Sequence, residues 1–412
     1  MAGCLLCGGG KVDEVLDLGK TAPANNFLKP EEAAAGGETL YPLRLSLCRA
    51  CGHAQLLDLV PPSAMFDHYL YMSSASSTLT DHLHGLAAKI VRSLDLGASA
   101  LVVDVGCNDG TLLEGFGKAR IERRQGVDPA ANLAETARAK GAEVTTGYFD
   151  LALARQLRDT HGPASVLTMT NTFPHIPDLS GLMQAIDVML DEDGVFVLEA
   201  HYLMDLLDLC AFDTIYHEHV SYWALTPMQA LFAAHGFEVF DVERLPIHHG
   251  QLRVWAGRKG RRPVAPAVAA LAALEEERGL TTKAPFETLV ARIEDIRSNL
   301  LDLIAEMKRK GGRVVGYGAP AKGNTMIAFF GLGPDDLDYI ADRNTLKQGR
   351  VTPGSHIPIV APERILEDRP DLVIVFAWNF AEEIARQFSD YLGSGGRMVV
   401  PIPALQDLEA VS

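Results

Sequence analysis

The sequence predicts an α/β chain, with two units of parallel sheet flanked by helices behind a small cysteine-bearing N-terminal unit. Three observations predict it. Apolar, β-rich runs alternate with helical stretches over roughly residues 81–260, a second strand-loop-helix series begins near residue 313, and two Cys-x-x-Cys pairs lie before residue 80. At 412 residues the chain exceeds one ordinary core, so several domains are expected. The expected division is 1–80, 81–260 and 261–412, the last including a helical connector.

The first unit holds Cys4-Leu5-Leu6-Cys7 and Cys48-Arg49-Ala50-Cys51, separated by 40 residues (48 − 7 − 1). Each pair can bring two thiolates to one face of a tight turn, and Gly8 and Gly52 directly follow. Four thiolates form the tetrahedral shell that suits Zn²⁺, and a closed shell of this kind makes the metal structural. The competing reading, two redox pairs, lacks its context, because neither pair opens a helix after a strand. Cys107 and Cys210 are left over and are expected to pack as small apolar groups.

In the second unit Ala100–Val105 is an apolar run, followed by strand candidates at Arg124–Val127, Ser165–Met169 and Gly194–Glu199. Strands buried on both faces read as continuous apolar runs of this kind. The first leads into Asp104-Val105-Gly106-Cys107-Asn108-Asp109-Gly110, and Thr111 opens a helix. Glycine there lets the backbone approach a ligand at the carboxyl end of a parallel strand. The second glycine of a dinucleotide fingerprint is missing; the D-x-G-x-x-x-G spacing instead resembles the first motif of class I methyltransferases that use S-adenosylmethionine (SAM). About 20 residues on, Asp128 ends the next strand, where a carboxylate accepts ribose hydroxyls. Asp104, Gly106, Asn108, Gly110, Asp128 and Asn171 are therefore the candidate cofactor contacts. An α/β domain with an accidental glycine turn is the plainer alternative.

Tyr216-His217-Glu218-His219 concentrates proton-transfer groups beside Tyr222 and Trp223. It reads as an acid–base cluster, against a polar helix start or a metal site of His217 and His219 joined by His248 and His249. No H-E-x-x-H spacing supports the metal reading. His175, after the Ser165–Met169 strand, belongs to the carboxyl edge of the sheet, where ligands meet α/β proteins. Tyr69 and Tyr71 precede a serine-rich stretch that either closes the site or is a solvated loop.

Leu289, Ile293, Ile296, Leu300 and Ile304 recur at helix spacing in the connector. The third unit then runs from Arg313–Tyr317 into Gly318-Ala319-Pro320-Ala321-Lys322-Gly323, with a later strand at Asp371–Ala377. Asp342, after Leu337-Asp338-Tyr339-Ile340, raises a nicotinamide-binding alternative. The net charge of −16 argues against nucleic acid, which needs clustered Lys and Arg. The longest apolar runs are far short of the ~20 residues that span a bilayer, and no basic, then apolar, leader opens the chain. A cytoplasmic protein with reduced thiols is expected.

Taken in order, these motifs resemble the sugar C-methyltransferases that act on nucleotide-linked 4-keto deoxysugars. The resemblance covers nearly the whole chain: the cysteine quartet, Tyr69-Leu70-Tyr71-Met72-Ser73-Ser74, the Asp104–Gly110 loop, Tyr216 to Trp223, Gly316 to Asn324, Lys347-Gln348-Gly349, Pro353 to Ile359, and Ala377-Trp378-Asn379-Phe380. It implies a zinc-bearing N-terminal domain, a class I SAM-dependent methyltransferase domain and a C-terminal Rossmann-like domain. The substrate, TDP-linked by this resemblance, would lie in the cleft between them. His219 would take the proton next to the ketone, with Glu218 fixing an imidazole tautomer or touching the sugar. Tyr216 and one of Tyr69 and Tyr71 would bond the enolate oxygen. Tyr317, Lys322, Asn324 and Lys347 are candidates to hold the pyrophosphate and base, though Lys347 equally suits an exposed surface. Gln251, in His248-His249-Gly250-Gln251-Leu252-Arg253, stands where relatives carry serine, and Ala75 where they carry glycine. A ketoreductase using nicotinamide, or a non-catalytic binder of sugar nucleotides, are the rival functions.

Overall fold

The structure, a computed structural model, describes residues 3–61, 65, 72–247 and 250–409. Tyr69, Tyr71, His248 and His249 lie outside the described residues.

The first sheet is antiparallel, β1 (Val12–Thr21), β2 (Tyr41–Cys48) and β3 (Ala54–Leu56) lying in that order. Its fourth strand, Ser221–Tyr222, comes from the middle of the chain and pairs with β3. The residues that directly follow Tyr216–His219 are thereby built into the cysteine unit.

Helix α1 (Ser77–Leu94), N-capped by the Ser76 side chain, enters the second unit. The strands there are β4 (Leu101–Val105), β5 (Arg123–Asp128), β6 (Glu143–Thr146), β7 (Ala164–Thr170), β8 (Leu190–His201), β9 (Phe237–Leu245) and β10 (Gln251–Arg258). They form one sheet in the order β9-β10-β8-β7-β4-β5-β6, in which β8 through β6 run parallel and β9 and β10 add an antiparallel hairpin. All five β4 residues are buried, as helices on both faces of a parallel sheet require. From β4 the chain moves outward to β5 and β6, then returns to β7 on the other side. The carboxyl end of β4 is therefore the topological switch point, where open α/β sheets bind ligands.

Helix α2 (Ala284–Arg309) buries Phe286, Leu289, Ile293, Ile296, Leu300 and Ile304 along one stripe. At 26 residues it spans about 39 Å, and it packs against β1, the Leu203–Asp208 helix and the first strand of the third unit.

That unit contains β11 (Val314–Tyr317), α3 (Ala321–Phe330), β12 (Ile340–Ala341), β13 (Ile359–Val360), β14 (Leu372–Val375), β15 (Met398–Val400) and β16 (Gln406–Asp407). The sheet order is β13-β12-β11-β14-β15-β16, parallel except for β16. One apolar cluster runs through all three units, from Leu43 and Leu45 through Phe196 and Phe212 to Ile340 and Val373. No helix among the described residues is long and apolar enough to cross a membrane.

Candidate active site

The two cysteine turns have the same hydrogen bonds. Cys4 N–H donates to Gly9 O and Cys48 N–H to His53 O, while Gly8 N–H and Gly52 N–H close each turn onto Cys4 O and Cys48 O. Gly8 (φ +66°) and Gly52 (φ +69°) occupy the left-handed region that these turns demand. The Sγ atoms of Cys4 and Cys51 are 3.6 Å apart, as are those of Cys7 and Cys48. A tetrahedron with Zn–S bonds of about 2.3 Å has an edge of about 3.8 Å, so the quartet fits zinc. Among the described residues no other group of three or more His, Cys, Asp or Glu is gathered closely enough to hold a metal. Among the described residues the histidine metal reading gains no support: His217 Nε2 turns to Pro42 O at 3.2 Å and His219 Nδ1 to Thr214 O at 2.8 Å.

At the end of β4, Gly106 has φ +74°, and a Cβ there would fall 1.9 Å from Thr172 Oγ1. A Cβ at Gly110, φ +77°, would fall 2.9 Å from Ala137 Cα. The Asp128 carboxylate accepts from Asn108 N–H and Ala130 N–H, each at 2.8 Å. These bonds hold the loop to the end of β5 and leave each oxygen a second lone pair. Burial raises the Asp128 pKa against them. Asp104 is 1% exposed, accepts from Thr168 Oγ1 at 2.7 Å, and burial pushes its pKa up to about 7. Asn171 also has positive φ; its side-chain oxygen accepts from Gln251, so the departure at 251 bears directly on a candidate cofactor contact.

The segment before α1 lies over this loop. Ser73 N–H donates to Asn108 Oδ1 and Ser74 N–H to Asp109 Oδ2, both at 3.0 Å. Asp109 thus anchors the Ser73–Ser74 segment to the loop, and Lys140 pairs with it at 3.2 Å.

His219, itself buried, lies in a cluster of rings, with Tyr216 at 4.1 Å, His201 at 4.8 Å and His175 at 5.1 Å between centroids. Its Nδ1 is 2.8 Å from Thr214 O. A carbonyl can only accept, so Nδ1 carries the proton and Nε2 the lone pair. Burial holds its pKa down at about 4, so the imidazole is neutral and fit to accept a proton. The Thr214 carbonyl thus fixes the His219 tautomer. Glu218 Oε1 accepts from Asn25 Nδ2 of the first unit at 2.6 Å. His201 went unnoticed in the sequence because its strand was expected to end at Glu199; two further residues of β8 bring it to the sheet edge.

Residues 4–66 match a zinc binding domain, 78–242 a methyltransferase domain and 246–403 a C-methyltransferase C-terminal domain. The C-methyltransferase NovU of Streptomyces niveus is 36% identical over 410 residues, covering 99% of this chain and 97% of that relative. The chain belongs to the SAM-dependent C-methyltransferase family. Its cofactors are SAM and a structural zinc, and the non-catalytic reading is set aside. Among solved structures, the magnesium protoporphyrin IX methyltransferase ChlM of Synechocystis PCC 6803 with bound SAM is 14% identical over 44% of this chain and 79% of its own, with a TM-score of 0.33. The PH0226 protein of Pyrococcus horikoshii OT3 is 14% identical over 48% and 97%, with a TM-score of 0.36. Scores this low carry no argument.

In the C-terminal domain of this methyltransferase, the expected substrate contacts have partners within the protein. Asn324 Nδ2 donates to Ala24 O at 2.7 Å, Tyr317 Oη to Gln387 Oε1 at 3.1 Å, and Lys347 Nζ to Ala319 O at 2.7 Å. Lys347 also covers the Phe27 ring, so it is no free surface lysine. Lys322 is half-buried over the Trp378 ring at 4.6 Å, and burial lowers its pKa to about 8.

Proposed function

We propose that this enzyme methylates a TDP-linked 4-keto deoxysugar on the carbon next to the ketone, C-3 being the first choice, and that His219 is the base. The reading rests on the motif resemblance, and one observation carries the mechanism: a neutral, buried imidazole with Nδ1–H held by Thr214 O. Nε2 takes the proton from the carbon beside the ketone. A base this weak needs the enolate stabilised as it forms, and the Tyr216 hydroxyl, whose ring lies against His219, is the donor proposed for the enolate oxygen. SAM, when bound, supplies the methyl group. Lys322 provides a point charge for the pyrophosphate, and the loop over Asn108 and Asp109 keeps water out.

The test is mass spectrometry of TDP-linked 4-keto deoxysugars incubated with enzyme in deuterated water, first without SAM and then with it. Deuterium beside the ketone, followed by gain of one methyl, is the expected result. Methyl gain with the neighbouring proton retained would place the methyl on oxygen or nitrogen and remove His219 as base.

A further inference from the structure

The carbonyl that sets the His219 tautomer belongs to a short turn, Phe212–Thr214, which is also where the C-terminal domain docks. On one side the Phe212 ring packs against Phe330 and Phe329 of α3, at 5.7 and 6.0 Å. On the other, Asp213 is wholly buried, and its Oδ2 accepts the indole N–H of Trp378 at 2.7 Å. Trp378 follows β14 at the carboxyl edge of the third sheet, and its ring face carries the Lys322 ammonium, which also interacts electrostatically with Asp213. The next residue is Thr214, whose carbonyl holds Nδ1–H of His219. A burial this complete is costly for a carboxylate unless its partners hold it in place.

We infer that Asp213, held by Trp378 and Lys322, is a positioning residue: docking of the C-terminal domain fixes the turn, and the turn fixes the His219 imidazole with Nε2 as its basic nitrogen. The inference rests on His219 being the base. None of these groups touches the reacting atoms; they act through the direction of one carbonyl. An imidazole without that acceptor is not held in the Nδ1–H form, and its lone pair no longer sits on a fixed nitrogen.

The test combines kinetics with histidine ¹⁵N spectra, in which Nδ1–H and Nε2–H forms give different long-range correlations. The His219 signals are assigned by their absence in His219→Ala. Trp378→Phe removes the indole donor and keeps an aromatic ring. Asp213→Ala removes the acceptor, and Asp213→Asn restores it without charge. Trp378→Phe and Asp213→Ala should lose the pure Nδ1–H signature and about tenfold or more in kcat, since small misplacements are amplified in rate. SAM affinity should be unchanged, and Asp213→Asn should recover most of both losses. An unaltered His219 signature in Trp378→Phe would overturn the inference, whatever happened to kcat. So would a signature lost equally in Asp213→Asn and Asp213→Ala. If Asp213→Ala fails to fold, Trp378→Phe decides alone. Because the spectra need no sugar substrate, they stay decisive even if the sugar assignment fails.

Discussion

The two Rossmann-like units close their first loop in the same way and use it differently. In the SAM domain Gly106 N–H bonds Val127 O, and Asp128 accepts from Asn108 N–H in the loop and Ala130 N–H beyond it. In the C-terminal domain Gly318 N–H bonds Ala341 O, and Asp342 accepts from Ala319 N–H and Asn344 N–H. Both glycines are left-handed, at φ +74° and +82°. The surroundings differ. The first loop carries a second glycine at 110 and is covered by Ser73 and Ser74. The second runs straight into Pro320, which has no N–H to offer a phosphate, and its Ala319 carbonyl is taken by Lys347. Its helix then holds the first domain through Asn324. A glycine turn with an acid on the next strand therefore describes how a parallel sheet is stitched; the neighbours decide what else the loop can hold.

Substitutions at the paired glycines give the sharpest separation. Gly106→Ala, with a Cβ 1.9 Å from Thr172 Oγ1, should weaken SAM binding by roughly 100-fold or more by calorimetry, because both the space and the positive φ forbid it. Gly318→Ala, with a Cβ 2.6 Å from Ala377, should lower the melting temperature and leave SAM affinity nearly intact. Equal loss of SAM affinity in both would break the comparison. Next in size, His219→Ala should cost about 10²- to 10⁴-fold in turnover while SAM still binds; unchanged turnover would remove it as the base. In the unsubstituted enzyme the base acts deprotonated and its pKa is about 4. The acid limb of the kcat profile should therefore lie well below the 6.5 of a free imidazole, with activity flat from pH 8 to about 5. A break near 6.5 would contradict this.

The acids at the two strand ends should differ more mildly. Asp128→Asn is expected to weaken SAM about tenfold, and Asp342→Asn not at all, by the same calorimetry. The smallest effect concerns Asp104. Burial raises its pKa to about 7, so the stability it contributes is complete below the unfolded value of 3.8 and is lost as pH rises through 7. Asp104→Asn should then raise the melting temperature by a few degrees at pH 8.5 and little at pH 5. The same small gain at both pH values would show that its ionisation is immaterial.

What could be seen in the sequence follows from these contrasts. β4, β7 and β8 were legible because strands buried on both faces are rich in apolar residues, as in Leu101–Val103, Val166–Leu167 and Val195–Leu198. The cysteine quartet was legible because its chemistry is local to two tight turns. The β9–β10 hairpin was not, since its polar residues alternate and include Glu243 and Arg253. Nor was the separation of His217, Glu218 and His219: in an irregular turn, neighbouring side chains diverge to Pro42, Asn25 and Thr214. Asp213 carries no sequence signal at all, because its meaning lies in Trp378, 165 residues away.

The strand Ser221–Tyr222 sets a limit on modular engineering. It lies two residues past His219 and pairs with β3, while Ser221 Oγ meets His53 Nε2 at 3.1 Å, just after the second cysteine turn. A chimera that exchanges the zinc domain at a linker would therefore sever a sheet whose fourth strand begins two residues past the proposed base. Grafts that carry residues 216–223 together with the incoming domain should stay active where cuts at the domain boundary fail. In lineages descended from this architecture, the zinc domain and residues 216–223 are expected to be inherited as one piece.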